Sequence, residues 1–301
     1  MFLLKVSAIW FIAGCLVTIF FSCQPGIGSD SASAGKQLVQ AKDQRVAVLL
    51  FHAVDYVSTN PNSMSLDQLE MTFQALKTCG YHTITLQQFH DFLDGKANVP
   101  SKAVLITFDD GYRDIYQCVL PLTKKFNYHA VVFAVTKWFD VYRRPEPSRS
   151  HLSVHDAVYL SQSGLWSIGG HSYEGHRLGM SGNYVQGPYY VTKLWKGTEN
   201  RLETEAEYKA RVWNDIVLDR AALKRVGIAE PLDFAYPYGA FSQDVVKMLN
   251  EAGYVYLYLN EPGLNKPGED PSYIYRITAG RNVHETMALL GWYFSQKEKD
   301  N

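Results

Sequence analysis

The chain has 301 residues, 47% hydrophobic and 20% charged, which is enough apolar material for one large globular domain or two small ones. Its formal net charge of -1 carries no trace of the basic face a nucleic-acid binder needs, so that class of partner is excluded. Aromatic residues make up 14%; most are expected in the core, leaving a few free to stack on sugar faces.

Residues 1–23 read as an export segment. Lys5 precedes an apolar run from Val6 to Phe21, which is long for a signal-peptide core and short for a bilayer span; Ser22, Cys23, Pro25 and Gly26 follow. Cys23, after the small Ser22, stands where a lipoprotein signal places its lipidated cysteine, although Phe20 occupies the position where Leu is usual. A lipoprotein at Cys23, an uncleaved anchor and a cleaved signal all fit. Each puts the rest of the chain outside the cytoplasm, at the cell surface or membrane-anchored through this segment. Residues 24–44 are rich in Ser, Gly, Ala, Gln and Lys with no apolar period, as in a flexible tether. The body, residues 45–297, contains only Cys79 and Cys118, with no CxxC pair, so a cysteine-based zinc site is excluded; two thiols and one disulfide both remain open.

From Arg45 on, short apolar runs alternate with amphipathic segments. Val46–Phe51 reads as a buried strand, and Ser65 with Gln68 as a capping box for a helix over Leu66–Thr78 that Gly80 ends. A short strand over Tyr81–Ile84 leads to a helix capped by Thr85 and Gln88 that stops at Gly95. Ala103–Phe108 is the clearest buried strand, followed by a helix over Ile115–Phe126, a strand over His129–Val135, a helix near Val154–Ser161 and a strand over Leu165–Ile168. His176 to Leu202 is expected to be an irregular insertion. A long helix runs from Thr204, boxed by Glu207, to about Val226, before strand Asp233–Tyr236, helix Gln243–Ala252, strands Tyr254–Tyr258 and Tyr275–Thr278, and a helix over Glu285–Trp292. Such alternation implies an α/β fold of parallel strands with right-handed crossovers, and about seven units favour a barrel over an open sheet. Functional groups then belong just after the strand C-termini.

The unusual residues fall there. In Thr107-Phe108-Asp109-Asp110-Gly111-Tyr112, two adjacent carboxylates close an apolar strand. Like charges this close need a counter-charge, which a divalent cation supplies, whereas a helix cap needs only one Asp. In Gly169-Gly170-His171-Ser172-Tyr173-Glu174-Gly175-His176, two histidines follow another buried strand. Asp110, His171 and His176 together offer a three-ligand site with open positions, suited to a hydrolytic metal. An ideal helix would turn residues five apart roughly 140° from each other, so 172–175 must leave helical geometry, for which Gly175 is suited.

These motifs resemble the polysaccharide deacetylases with a NodB-homology domain, carbohydrate esterase family four. Thr107–Tyr112 matches the family's TFDDG motif, Val48–His52 resembles its opening strand, and Phe234–Gly239 resembles its third motif. The resemblance implies a single catalytic domain folded as a distorted (β/α)7 barrel. It also implies one divalent metal ion, zinc foremost, with nickel, cobalt or iron as alternatives. Asp109 would match the catalytic base, Asp110, His171 and His176 the ligands, Pro237 and Tyr238 the substrate groove, and the Tyr112 N–H an oxyanion donor. The five-residue histidine spacing resembles the poly-β-1,6-N-acetylglucosamine deacetylases, against a usual spacing of four. The third motif's Arg, which orients the base, is replaced by Ala235, leaving Arg276 or Arg281 for that job. The family's C-terminal general-acid motif is missing, and His284 is its nearest candidate. His52 reads as a packing residue near the site. The expected substrate is an N-acetylated glycan polymer; peptidoglycan and a non-catalytic glycan binder are the alternatives.

Overall fold

A computed structural model of the chain describes residues 44–56, 63–140, 149–182 and 185–296. The expected export segment, and the tether up to residue 43, lie outside these residues. Nine strands form one sheet: β1 (Val46–Phe51), β2 (His82–Thr83), β3 (Ala103–Phe108), β4 (Ala130–Ala134), β5 (Trp166–Gly170), β6 (Asp233–Ala235), β7 (Tyr256–Tyr258), β8 (Leu264–Asn265) and β9 (Ile277–Thr278). Parallel pairing runs β1-β3-β4-β5-β6-β7, with β1 and β3 in register from Val46–Ala103 to Phe51–Phe108. β2 extends beside β3, and β8 runs antiparallel to β1. Tyr258 bridges Ile274, while β9 pairs in parallel with β1. The segment 274–278 therefore touches both β7 and β1, and the seven parallel strands β1, β3–β7 and β9 curl into the expected distorted barrel.

β1 and β3 are buried at every residue because both faces of the sheet are covered. Alternate residues supply two cores. Leu49, Ile106 and Val132 pack towards helices α1 (Leu66–Thr78), α4 (Val154–Gln162), α5 (Glu205–Arg225) and α6 (Gln243–Ala252). Val48, Leu105 and Phe133 pack with Phe89 and Phe92 of α2 (Leu86–Leu93). The capping boxes at Thr85 and Thr204 form as expected. At Ser65 only half does: Ser65 caps α1, but the Gln68 side chain instead accepts from Val283 N–H, at the first residue of α7 (Val283–Ser295).

The helix expected over Ile115–Phe126 opens with a wide turn, Ile115–Val119, before α3 (Leu120–Phe126). Pro121 lacks an N–H and crowds the carbonyl four residues back, and the wider turn relieves both. The insertion is less irregular than expected: Leu178–Met180 pairs with Gln186–Pro188, and Trp195–Lys196 with Arg201–Leu202. Cys79 and Cys118 are not joined in a disulfide, which settles the pairing left open by the sequence.

Candidate active site

Asp109 and Asp110 follow the last residue of β3. In an extended strand their side chains would point to opposite faces. Asp110 and Gly111 instead take left-handed backbone conformations, φ 70° and 71°, and both carboxylates line one cavity of about 450 Å³. A side chain at Gly111 would place its Cβ 2.9 Å from Ala134 Cβ, so the motif requires glycine there. Asp110 carries the strain of a rare conformation, as residues at functional sites often do.

Asp109 is 1% exposed and meets Arg276, fully buried, in a two-pronged pair: Nη1 to Oδ1 at 2.7 Å and Nη2 to Oδ2 at 2.8 Å. Arg276 is itself aimed by Nε donating to the Leu259 carbonyl and Nη2 to Asn260 Oδ1, both at 2.6 Å. Burial would push the Asp109 carboxyl up, but the Arg276 guanidinium and His171 outweigh it and hold it down to about 2. Of the two arginines considered for the base, Arg276 pairs with it; Arg281 lines the cavity from an exposed position. Ala235 serves differently, since its carbonyl accepts from His171 Nδ1 at 2.8 Å.

That bond places the proton on Nδ1 and leaves the His171 Nε2 lone pair facing the cavity. Burial, ahead of other influences, lowers the His171 pKa to about 4, so the ring is neutral at ordinary pH. Asp110 Oδ1 lies 3.7 Å from His171 Nε2 and 3.3 Å from His176 Nε2. The ligand atoms of these three residues all fall within 4.8 Å of one another. Asp110 Oδ1 is buried with no hydrogen-bond partner, although buried carboxylate oxygens are nearly always satisfied. An orphaned carboxylate oxygen facing two imidazole nitrogens is the donor set of a divalent ion, and the residues fit one.

The chain between the two histidines is non-helical, as the spacing required. The left-handed residue is Ser172, at φ 91°, rather than Gly175. Gly175 is needed for space instead: an added Cβ would meet Tyr189 at 3.1 Å and both Asp215 Oδ1 and Tyr190 at 3.2 Å. Tyr189 and Tyr190 are buried and pack the insertion.

Tyr238, at φ 60° and 45% exposed, stacks on His176 with ring centroids 4.5 Å apart. Pro237 starts the same short turn and is buried. Tyr112 lines the cavity and bridges His151; the flanking bonds, Arg113 N–H to Ser150 O and Leu152 N–H to Gly111 O, leave its own N–H directed away from that partner. His52, at the end of β1, lines the cavity. His284 is not brought there: it sits exposed on the first turn of α7 and is not among the lining residues. Arg149, also in the lining, escaped sequence reasoning because it follows no strand. It is held by Asp55 and Asp114 and lies over the Tyr112 ring.

A family model described as polysaccharide deacetylase matches residues 96–257. The chain is 27% identical over 226 residues to a poly-beta-1,6-N-acetyl-D-glucosamine N-deacetylase of Escherichia coli (strain K12), covering 71% of this chain and 34% of that protein. It thus spans about a third of that relative's length. It is 25% identical over 236 residues to a protein of the same name from Staphylococcus aureus (strain MRSA252), covering 78% of this chain and 74% of the other. Among solved structures, a de-N-acetylase from Aggregatibacter actinomycetemcomitans superposes with a TM-score of 0.71 at 27% identity, over 79% of this chain and 95% of that one. The BpsB deacetylase domain from Bordetella bronchiseptica gives 0.69 at 26%, over 78% and 96%.

Proposed function

The chain belongs to the polysaccharide deacetylase family, and from that premise we propose that it removes N-acetyl groups from an N-acetylglucosamine polymer outside the cytoplasm, with one divalent ion held by Asp110, His171 and His176. The observation that carries the proposal is one cavity lined both by Asp109, paired to the buried Arg276, and by the unsatisfied Asp110 oxygen between two imidazoles. A glycan-binding protein would have no use for a buried carboxylate kept ionised beside such a cluster.

A bound divalent ion supplies Lewis acidity towards a carbonyl and towards water at neutral pH. Zinc suits the nitrogen and oxygen donors best, with nickel, cobalt or iron as alternatives. Asp109 accepts the proton of the attacking water, and Arg276 keeps it ionised and fixed in direction. The Tyr112 N–H stabilises the oxyanion of the acetamide carbon, an effect on the order of 3 kcal/mol for a well-placed donor. His52 lines the same cavity outside the Asp–His–His cluster, and it hands a proton to the leaving amine in the role first considered for His284. Tyr238, half-exposed beside His176, offers a face for a sugar ring, with Pro237 fixing its turn. The products are acetate and a polymer carrying free amines.

Two observations favour a β-1,6-linked polymer: the five-residue histidine spacing and the activity named for the E. coli and S. aureus relatives. The apolar run before Cys23 supports export and membrane attachment. Acetate release measured side by side on β-1,6- and β-1,4-linked N-acetylglucosamine oligomers tests the substrate. Faster release from the β-1,6 series is expected; preference for the β-1,4 series would redirect the assignment to peptidoglycan-type chains.

A further inference from the structure

Helix α5 buries two carboxylates one turn apart, Asp215 at 3% exposure and Asp219 at 0%, on the stripe that also buries Val212 and Ile216. Like charges on an otherwise apolar stripe are costly unless each is fully engaged. The two are engaged differently. Asp215 Oδ1 accepts from the Tyr173 N–H at 2.9 Å and the Tyr190 hydroxyl at 2.7 Å, and its Oδ2 accepts from the Glu174 N–H at 2.9 Å. Asp219 accepts only from hydroxyls, those of Thr136 at 2.6 Å and Tyr254 at 2.5 Å.

Tyr173 and Glu174 lie midway between His171 and His176. A helical pair of ligands would satisfy the intervening amides within its own backbone; this segment cannot, because it is not a helix. Its polar backbone is held from outside. The carbonyls of Ser172 and Tyr173 accept from the N–H groups of Thr136 and Lys137, both at 3.0 Å, and the amides of Tyr173 and Glu174 end on the one Asp215 carboxylate. The glycines of the motif keep room for this arrangement. A Cβ at Gly175 would stand 3.2 Å from Asp215 Oδ1, and one at Gly170 would stand 2.1 Å from Asp219 Oδ2.

We infer that Asp215 is a positioning residue for the metal site: its carboxylate takes the place of helical hydrogen bonds and fixes the loop so that His171 and His176 converge on Asp110. This rests on the metal reading above. It separates Asp215 from Asp219 because an amide N–H can only donate, whereas a hydroxyl can reverse and accept. An Asn at 215 presents an NH₂ to a backbone N–H and breaks the clamp; an Asn at 219 finds hydroxyl partners that rotate to suit it.

The experiment titrates Zn²⁺ and Co²⁺ into the full chain, stripped with a chelator and kept in mild detergent, and compares the unaltered chain with Asp215→Asn and Asp219→Asn. Asp215→Asn is expected to bind either ion about 10–100-fold more weakly, the usual effect of losing a group that orients ligands, with an altered Co²⁺ absorption spectrum. Asp219→Asn, the same substitution one turn along the same helix, stays within about threefold. Equal losses in both variants, or unchanged affinity in Asp215→Asn, would overturn the assignment while leaving the metal site intact. An unaltered chain that binds neither ion would overturn the metal reading and the assignment with it. Should Asp215→Asn fail to fold, amide hydrogen exchange in the unaltered metal-free chain decides: Tyr173 and Glu174 amides are expected to exchange slowly, and exchange at the rate of free amides contradicts the clamp.

Discussion

Replacing Arg276 by Met should destabilise the protein and silence the base together. Methionine keeps most of the volume of the arginine stem and removes the guanidinium. Asp109, 1% exposed, then loses both charge-assisted bonds, and Leu259 O and Asn260 Oδ1 lose a donor each. Breaking a buried ion pair from one side costs about 3–5 kcal/mol, against a total stability of about 5–15 for a domain. The pKa argues the same way. Asp109 sits at about 2 only because Arg276 and His171 overcome burial; without the guanidinium, burial, the largest influence, prevails and the pKa rises. In the unaltered protein the lowered pKa contributes stability that is present above 3.8 and lost as pH falls through about 2. In Arg276→Met that contribution is gone, and the acid limb of the rate profile moves to higher pH. Urea denaturation of Arg276→Met, Asp109→Asn and the double variant forms a cycle that isolates the pair. The double variant is expected to be more stable than Arg276→Met alone, because no charge is left stranded. A loss below about 1 kcal/mol in Arg276→Met, or a double variant no more stable than it, would mean that Arg276 does not hold the buried charge of Asp109.

Asp109→Asn should abolish turnover with metal still bound, whereas Asp110→Ala and His176→Ala should lose metal; elemental analysis beside an acetate assay checks both. His52→Ala should slow turnover with metal content unchanged, and an undiminished rate would exclude it as the proton donor. Burial pushes Asp219 up to about 7, so its neutral form contributes stability that is complete below 3.8 and lost as pH rises through about 7. Asp219→Asn should therefore gain on the unaltered protein as pH rises from about 4 to 7, by at most about 4 kcal/mol, read from denaturation midpoints across that range. Gly170→Ala drives a Cβ to 2.1 Å from Asp219 Oδ2 and 2.7 Å from the Tyr254 hydroxyl, and should cost about 1–3 kcal/mol in the same assay.

What was legible in the sequence was local. Apolar runs such as Val46–Phe51 and Ala103–Phe108 marked strands to the residue, because a sheet covered on both faces leaves no polar position to blur the pattern. Asp110, His171 and His176 stood out because carboxylates and imidazoles at strand ends have few structural uses. The partnership of Asp109 with Arg276 spans 167 residues, and sequence narrowed the partner only to Arg276 or Arg281. His284 seemed placed by following a strand, yet β9 ends at Thr278, and Ala279 to Asn282 carry the chain past the cavity before α7 begins at Val283. The left-handed turn fell on Ser172 rather than Gly175 because the space beside Asp215, not backbone freedom, dictated where glycine was required. Asp215 and Asp219, four apart on the buried stripe of a helix, take donors from residues 25 to 83 positions away, which no local pattern marks.

In the proposed mechanism a single divalent ion, held by Asp110, His171 and His176, makes Asp109 a productive base. Stripping the chain with a chelator, titrating Zn²⁺ back, and following acetate release from a β-1,6-linked N-acetylglucosamine oligomer puts this to the test. Release is expected to stop on stripping and to return in full at one ion per chain. Release that survives stripping, or none at any Zn²⁺, Ni²⁺, Co²⁺ or Fe²⁺ concentration, would contradict the mechanism.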